Sequence, residues 1–215
     1  MIEQSSRLRV GRAIGKGEEE VAEKLMNQQK RRGNPDKPPS LSSDAAKGYE
    51  SALVKSYGVV PKYVGRGRPP TKKQARSDWE YLQIVKHHRG GHLVKVTTQV
   101  IFGDAETICN KLGNHTSYVE RTHLTSRHMN GRLVRKTLSY SKRVEMLEAS
   151  SSWEDIVYNL VRPLKTLRQA VYNERRHWLP RTPAMVAGLT DRIWTIEELL
   201  HIRVRPLFFY QHPKG

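Results

Sequence analysis

Two carboxylates stand out in this sequence because of the chemistry of their surroundings. Asp44 ends the short run 41–43 and precedes a helical pattern, so we predict it at the carboxyl edge of a sheet, where α/β folds place ligands and metals. Glu120 lies early in a predicted helix, in a stretch of Arg and Lys with no further acid until Glu145. Carboxylates that share a site with substrate phosphates are the usual ligands of Mg²⁺. The two residues are therefore candidate metal ligands.

Each carboxylate also has a simpler interpretation. An Asp directly before a helix commonly caps the amides of its first turn, so Asp44 could serve only as an N-cap. Glu120 could form an exposed ion pair with Arg121, Arg127 or another Arg, which would contribute little to stability. From the residues alone both alternatives stay open, and the simpler one is favoured in each case.

A basic segment follows the second predicted helix. The sequence GRGRPP at 65–70 places Arg66 and Arg68 on either side of one glycine, a spacing that suits a narrow A·T-rich minor groove. It resembles the core of an AT-hook, and Lys72 and Lys73 extend its charge. A basic linker without base preference explains the same residues equally well, since short basic patterns recur by chance.

The composition favours a polyanionic partner. The chain has 215 residues and a formal net charge of +17, which attracts nucleic acid.

Cys109 is the single cysteine, so an intrachain disulfide and a CxxC metal site are excluded. No apolar run approaches the roughly 20 residues of a membrane span, and the first residues lack the apolar core of a signal peptide. We expect a soluble cytoplasmic protein with no membrane partner, and the nine histidines show no metal-ligand spacing.

Periodicity predicts an α/β order over the first sixty residues. Residues 6–14 alternate like a strand with one solvated face, and residues 41–44 predict a second strand. A helix is predicted after each strand, and the second ends at Gly58. Farther along, the sequence predicts a hairpin over 81–102, a short helix between Asp104 and Gly113, and mostly helical structure after 114, with a last helix capped by Thr190.

Several segments together resemble one family. They are NHTSYVER at 114–121, LTSR at 124–127, GRLVRKTLSYSK at 131–142, LSSD at 41–44 and YNLVRP at 158–163. They are similar to the signature of small bacterial insertion-sequence transposases of the insertion-sequence-one type. In that family, the segment like 114–142 surrounds the final Glu of a DDE triad, and the strand like 41–44 carries the second Asp.

The resemblance implies a fold and an activity. The fold would be α/β, a partial ribonuclease-H-like core with an inserted β-hairpin and a helical C-terminal part. Asp44 and Glu120 would be catalytic ligands of Mg²⁺ or Mn²⁺ in DNA strand cleavage and transfer. The partners would be the terminal repeats of the element and target DNA in the nucleoid, with homo-oligomers forming on DNA. The expected DNA contacts are Arg66, Arg68, Lys72, Lys73, Arg121, Arg127, Arg132, Arg135 and Lys136.

The first Asp of the family triad belongs to a strand upstream of residues 6–14, and no residue here takes its place. We therefore expect an N-terminally truncated transposase, and whether it is an active enzyme stays open. The alternatives are a catalytically inactive DNA-binding remnant and, more distantly, an RNA binder of the ribosomal type. The expected segments are a partial core (1–60), a basic loop (61–80), the inserted hairpin with a short helix (81–113), the helical part of the core (114–163) and a tail (164–215).

Overall fold

A computed structural model describes residues 1–46, 48–65, 67–171 and 177–202. The chain divides into two compact units, Met1–Glu154 and Asp155–Gly215. The first contains α1 (Glu18–Arg32), β1 (Leu41–Asp44), α2 (Tyr49–Tyr57), β2 (Tyr81–Arg89), β3 (His92–Phe102), α3 (Ala105–Leu112), α4 (Ser117–Met129) and the start of α5 (Val144–Leu160). The second contains the end of α5, β4 (Gln169–Ala170), β5 (Trp178–Leu179), α6 (Pro183–Val186) and α7 (Ile196–His201). Among these described helices, none combines the length and apolar character that crossing a bilayer requires.

A three-stranded mixed sheet, in the order β1-β2-β3, organises the first unit. Strand β1 is parallel to β2 along its whole length, and β2 is antiparallel to β3. The predicted hairpin is confirmed, because Arg89 pairs with His92 across Gly90 and Gly91, whose φ angles are 59° and 83°. Positive φ at both loop positions matches the twist of the flanking strands, and glycine adopts it without steric cost. The predicted α/β class is thereby confirmed.

Helices α1 and α2 are both confirmed, and they share one core. Acidic residues in the first turn of α1 and basic residues in its last turn complement the helix dipole. Trp79 is 1% exposed and packs edge-on against Phe102, with 5.5 Å between the ring centroids. The cluster that joins the two helices to strand β2 consists of Ala22, Leu25, Met26, Ala52, Leu53, Tyr57, Trp79 and Tyr81. Burial of these apolar side chains holds α1 and α2 against the start of β2.

Residues 6–14 do not form the predicted strand. In this described part of the chain, the only ladder contact is an isolated bridge between Ile2 and Arg9. The alternating pattern placed Arg9 on a solvated face, but Arg9 is buried, and its Nη1 lies 2.5 Å from Oε1 of Glu154. Arg9 thus has a partner 145 positions away in the sequence, which an alternating pattern over nine residues cannot indicate.

Gly103 allows the chain to turn sharply between β3 and α3. Its φ is +87°, and a Cβ added there would lie 2.7 Å from the backbone oxygen of Trp79. We expect Gly103→Ala to lower the free energy of unfolding by more than about 1 kcal/mol, because alanine at positive φ is strained and this one also clashes. Urea unfolding followed by tryptophan fluorescence measures the change. The control Gly131→Ala, whose Cβ would approach only Ser139 at 4.0 Å, is expected to stay within about 0.5 kcal/mol. Equal values for the two variants would contradict the prediction.

The cap predicted for the last helix is wrong. Helix α7 begins after Thr195, not after Thr190. The Thr195 hydroxyl accepts from the Glu198 amide at 3.1 Å, and the Glu198 carboxylate accepts from the Thr195 amide at 2.8 Å. This reciprocal capping box satisfies two amides at once. Thr190 instead accepts a hydrogen bond from Nε1 of Trp194 at 2.9 Å.

Candidate active site and nucleic-acid interface

Asp44 is exposed at the carboxyl end of β1, as predicted. The capping interpretation is wrong, because helix α2 begins at Tyr49 with Gly48 as its N-cap and without a side-chain cap. Asp44 influences the ionisation of Tyr49. Burial is the main cause that raises the pKa of Tyr49, and the negative charge of Asp44 raises it further. The carboxylate is therefore available at the edge of the sheet for an external ligand.

Glu120 lies in the first turn of α4, as predicted, and its side chain is 57% exposed. The carboxylate forms an ion pair with the ammonium of Lys86 from β2, and its Oε1 accepts a hydrogen bond from Oγ1 of Thr116 at 2.9 Å. These two contacts, Lys86 first, lower the pKa of Glu120. An ion pair is present, as the simpler interpretation required, but the partner is Lys86 and not Arg121 or Arg127.

His123, exposed on α4, lies within electrostatic range of both carboxylates. Desolvation, followed by the positive charges of the N-terminal ammonium, Arg127 and Arg12, lowers the pKa of His123, while Asp44 acts in the opposite direction. His123 in turn contributes to the lowered pKa of Glu120, one helical turn before it. The fold thus brings the end of β1 and the start of α4 within electrostatic range, although 76 positions separate the two acids in the sequence. Sequence reasoning gave His123 no role.

The donor set fits Mg²⁺ or Mn²⁺ in part. Asp44 and Glu120 offer the hard carboxylate oxygens that these ions prefer, and in proteins Mg²⁺ is often held by one or two carboxylates together with water and substrate phosphates. Lys86 already places a positive charge against Glu120, and a divalent cation would have to displace it. Within the described ranges, no group of three His, Cys, Asp or Glu side chains has the spacing of a metal site.

A cavity of about 650 Å³ opens beside the residues that follow Asp44. Its wall includes Ala45 and Ala46 and, from the basic loop, Lys72 and Lys73. The ammonium of Lys73 donates to the carbonyl of Lys55 at 2.6 Å, which holds this part of the loop against α2. Two of the predicted DNA contacts therefore line the same cavity as the two residues that follow Asp44. This placement was not predictable from the loop sequence.

The predicted basic residues that follow Glu120 are all exposed. Arg121 and Arg127 belong to α4, and Arg132, Arg135 and Lys136 lie in the segment after it. In the described part of the molecule, none of the five forms an ion pair with a carboxylate. Many other cations of the chain do so, among them Lys24, Lys37, Lys55, Lys111 and Arg192. The fold thus leaves the charge of the predicted contacts available to an external anion.

Two arginines that the sequence did not single out hold α4 in place. The guanidinium of Arg9 also reaches the carbonyl of Thr122 at 3.4 Å, and Nη2 of Arg12 donates to Oγ of Ser126 at 3.2 Å. Ser126 is buried on the inner side of α4. These contacts position the helix that carries Glu120 and His123. No local signal distinguishes Arg9 and Arg12 from the solvated cations of the chain.

The structure places most of the predicted site residues on the surface of the first unit. Arg68, like Lys72 and Lys73, is exposed in the basic loop. Arg66 lies outside the described residues, so the AT-hook interpretation stays a prediction. No protein-family model matches the chain, and no curated protein or solved structure shows significant similarity to it.

Proposed function

We propose that this chain is a transposase of the insertion-sequence type, with a ribonuclease-H-like core, that binds DNA and takes part in its metal-dependent cleavage and strand transfer. The observation that carries the proposal is the position of Asp44, exposed at the carboxyl end of β1, and of Glu120, exposed in the first turn of α4 and followed by exposed cations. The resemblance of residues 114–142 to the transposase signature supports the same function. Acids that share a site with available cations suit a substrate that brings both phosphate and metal.

Each group has a defined task in this proposal. Asp44 and Glu120 would hold the divalent ion, which activates the attacking oxygen and neutralises charge on the phosphodiester. Arg127 and Arg135 would bind the flanking phosphates and orient the strand. Lys86 lowers the pKa of Glu120 in the free protein, and this ion pair would have to open for Glu120 to bind the ion.

We expect Asp44→Asn and Glu120→Gln to abolish Mg²⁺- or Mn²⁺-dependent nicking of supercoiled plasmid, because each removes a negatively charged ligand. Duplex binding in EDTA, measured by fluorescence anisotropy, should persist in both variants since the basic residues are retained. Glu106→Gln, at an exposed acid in the first turn of α3, is the matched control and should nick like the wild type. Nicking that survives either ligand substitution would overturn the metal assignment.

A second function has its own supporting observation. Glu120 is already paired with Lys86, and a third ligand is missing from the described residues. These features favour a DNA-binding protein without catalysis, which would occupy element ends and exclude an active transposase. Wild-type protein that binds duplex DNA in EDTA but fails to nick plasmid with either metal would establish this alternative. Preference for RNA over DNA in competition would instead favour the RNA binder.

A further inference from the structure

The segment between α4 and α5 is the most basic part of the described chain after Glu120. We call residues 131–143 the connecting loop. It contains no acidic residue and five cations, which are Arg132, Arg135, Lys136, Lys142 and Arg143. Among the residues that the structure describes, Arg143 alone of these five lies near a carboxylate, at 3.7 Å from Glu145. The loop therefore presents a strong positive field to solvent.

The same loop exposes large apolar side chains between its cations. Leu138 is 98% exposed, Tyr140 is 61% exposed, and Val134 is 43% exposed. Exposed leucines occur singly on many proteins, but a cluster of apolar side chains on a charged surface marks a contact site. Phosphate contacts alone would involve only the cations, so the exposed apolar side chains beside them favour a ligand that also has an apolar part.

The loop is held in shape at its base. Nη1 of Arg132 donates to Oγ of Ser141 at 3.0 Å, and the amide of Ser139 donates to Oγ1 of Thr137 at 3.1 Å. A Cβ on Gly131 would lie 4.0 Å from that of Ser139, so the two limbs of the loop lie side by side. Leu138 and Tyr140 are thus displayed from a closed loop and are not packed into the core.

We propose that the connecting loop binds unstacked DNA bases, with Tyr140 stacking on a base and Leu138 inserting at the opened step. This inference rests on the proposed function, because it takes the polyanion that the cations attract to be DNA. Aromatic side chains in a positive groove bind single strands through the π-face that every base shares. Apolar side chains that enter a base step unstack it and kink the duplex. The substrate class is therefore DNA with locally unpaired bases, in preference to intact duplex.

The test compares three fluorescein-labelled DNAs of one sequence, about 16 nucleotides long, which is the upper end of single-strand site sizes. They are a single strand, an intact duplex and a duplex with a central mismatch bubble, each titrated in EDTA by anisotropy. Tyr140→Ala should weaken binding to the strand and the bubble by about 5- to 150-fold, the range expected when one base loses its stacking partner. Leu138→Ala should weaken binding to the bubble. Both variants should bind intact duplex nearly as the wild type does.

Two controls keep the result specific. Tyr140→Phe retains the ring and should bind all three DNAs like the wild type. Leu189→Ala removes another exposed leucine, 68% exposed and outside the loop, and should change nothing. Equal losses on duplex and bubble, or no loss on either, would overturn the inference and leave the proposed DNA binding intact.

Two further outcomes separate the possibilities that remain. Wild-type protein that binds none of the three DNAs would overturn both the proposed function and this inference. Analytical ultracentrifugation reports a different failure: if Tyr140→Ala or Leu138→Ala dissociates an oligomer and leaves DNA affinity unchanged, the apolar surface belongs to contact with a second copy of the chain.

Discussion

Replacing Glu154 with alanine is expected to lower the free energy of unfolding by about 3–5 kcal/mol, the usual effect of removing one partner of a buried ion pair. The side chains of Arg9 and Glu154 are only 3% and 4% exposed, and their charged atoms lie 2.5 Å apart. Without the carboxylate, the Arg9 guanidinium would lose its contact with Glu154 in a poorly solvated environment, and Arg12, whose Nη2 lies 3.6 Å from Oε2 of Glu154, would lose the same carboxylate. Urea unfolding at neutral pH, followed by tryptophan fluorescence and circular dichroism, gives the change.

A double variant separates the value of the pair from the penalty for breaking it. Arg9→Met combined with Glu154→Leu removes both charges and keeps apolar volume, so it should recover most of the lost stability. The exposed pair of Lys37 and Asp78, 3.3 Å apart, provides the comparison, and Lys37→Ala should cost less than about 1 kcal/mol. If Glu154→Ala costs no more than Lys37→Ala, the Arg9–Glu154 contact does not hold the N-terminal segment in place.

Elements with local signals were predictable from the sequence. Three such signals each act within four residues of their own position, and all three are confirmed. They are the two glycines of the β2–β3 turn, Asp104 before α3, and Gly113 after α3. The strand predicted at residues 6–14 is absent, because the charged residues of the alternating pattern do not all face solvent as the prediction assumed. Arg9 alternates with apolar neighbours, yet it points inward to Glu154. Distant pairing of this kind leaves no periodic trace in a sequence.

In the candidate site, too, local features were predictable from the sequence and tertiary contacts were not. Asp44 and Glu120 were placed on the correct elements because their positions depend on where a strand ends and where a helix begins. Lys86 and His123 were not foreseen as their neighbours. The contact of Lys86 with Glu120 depends on how β2 and α4 pack in space, as does the influence of Asp44 on His123, and both Lys86 and His123 are ordinary in their local sequence. The largest cause of the lowered pKa of Glu120, its contact with Lys86, is therefore tertiary, whereas the position of Glu120 on α4 is local.

Of the substitutions proposed here, the triple substitution Arg127→Ala, Arg135→Ala and Lys136→Ala should weaken DNA binding most. Each exposed cation that contacts a phosphate releases one counterion, so each loss reduces the slope of log K against log salt by about 0.9. At about 0.1 M salt, three lost contacts correspond to an affinity loss of roughly a hundredfold to a thousandfold. Anisotropy titrations of one duplex at several salt concentrations yield both quantities.

A second triple variant that removes the same charge elsewhere shows whether the position of the cations, and not only the net charge, determines DNA affinity. Lys24, Lys37 and Lys111 are paired with Glu20, Asp78 and Glu80, and replacing all three with alanine removes the same total charge. If net charge alone attracted DNA, both triple variants would lose affinity equally and the salt slope would not distinguish them. If Arg127, Arg135 and Lys136 contact phosphates, only their removal should reduce the slope, by roughly three. Tyr140→Ala should leave that slope unchanged, because stacking on a base releases no counterions, so the two contributions of this surface can be measured separately.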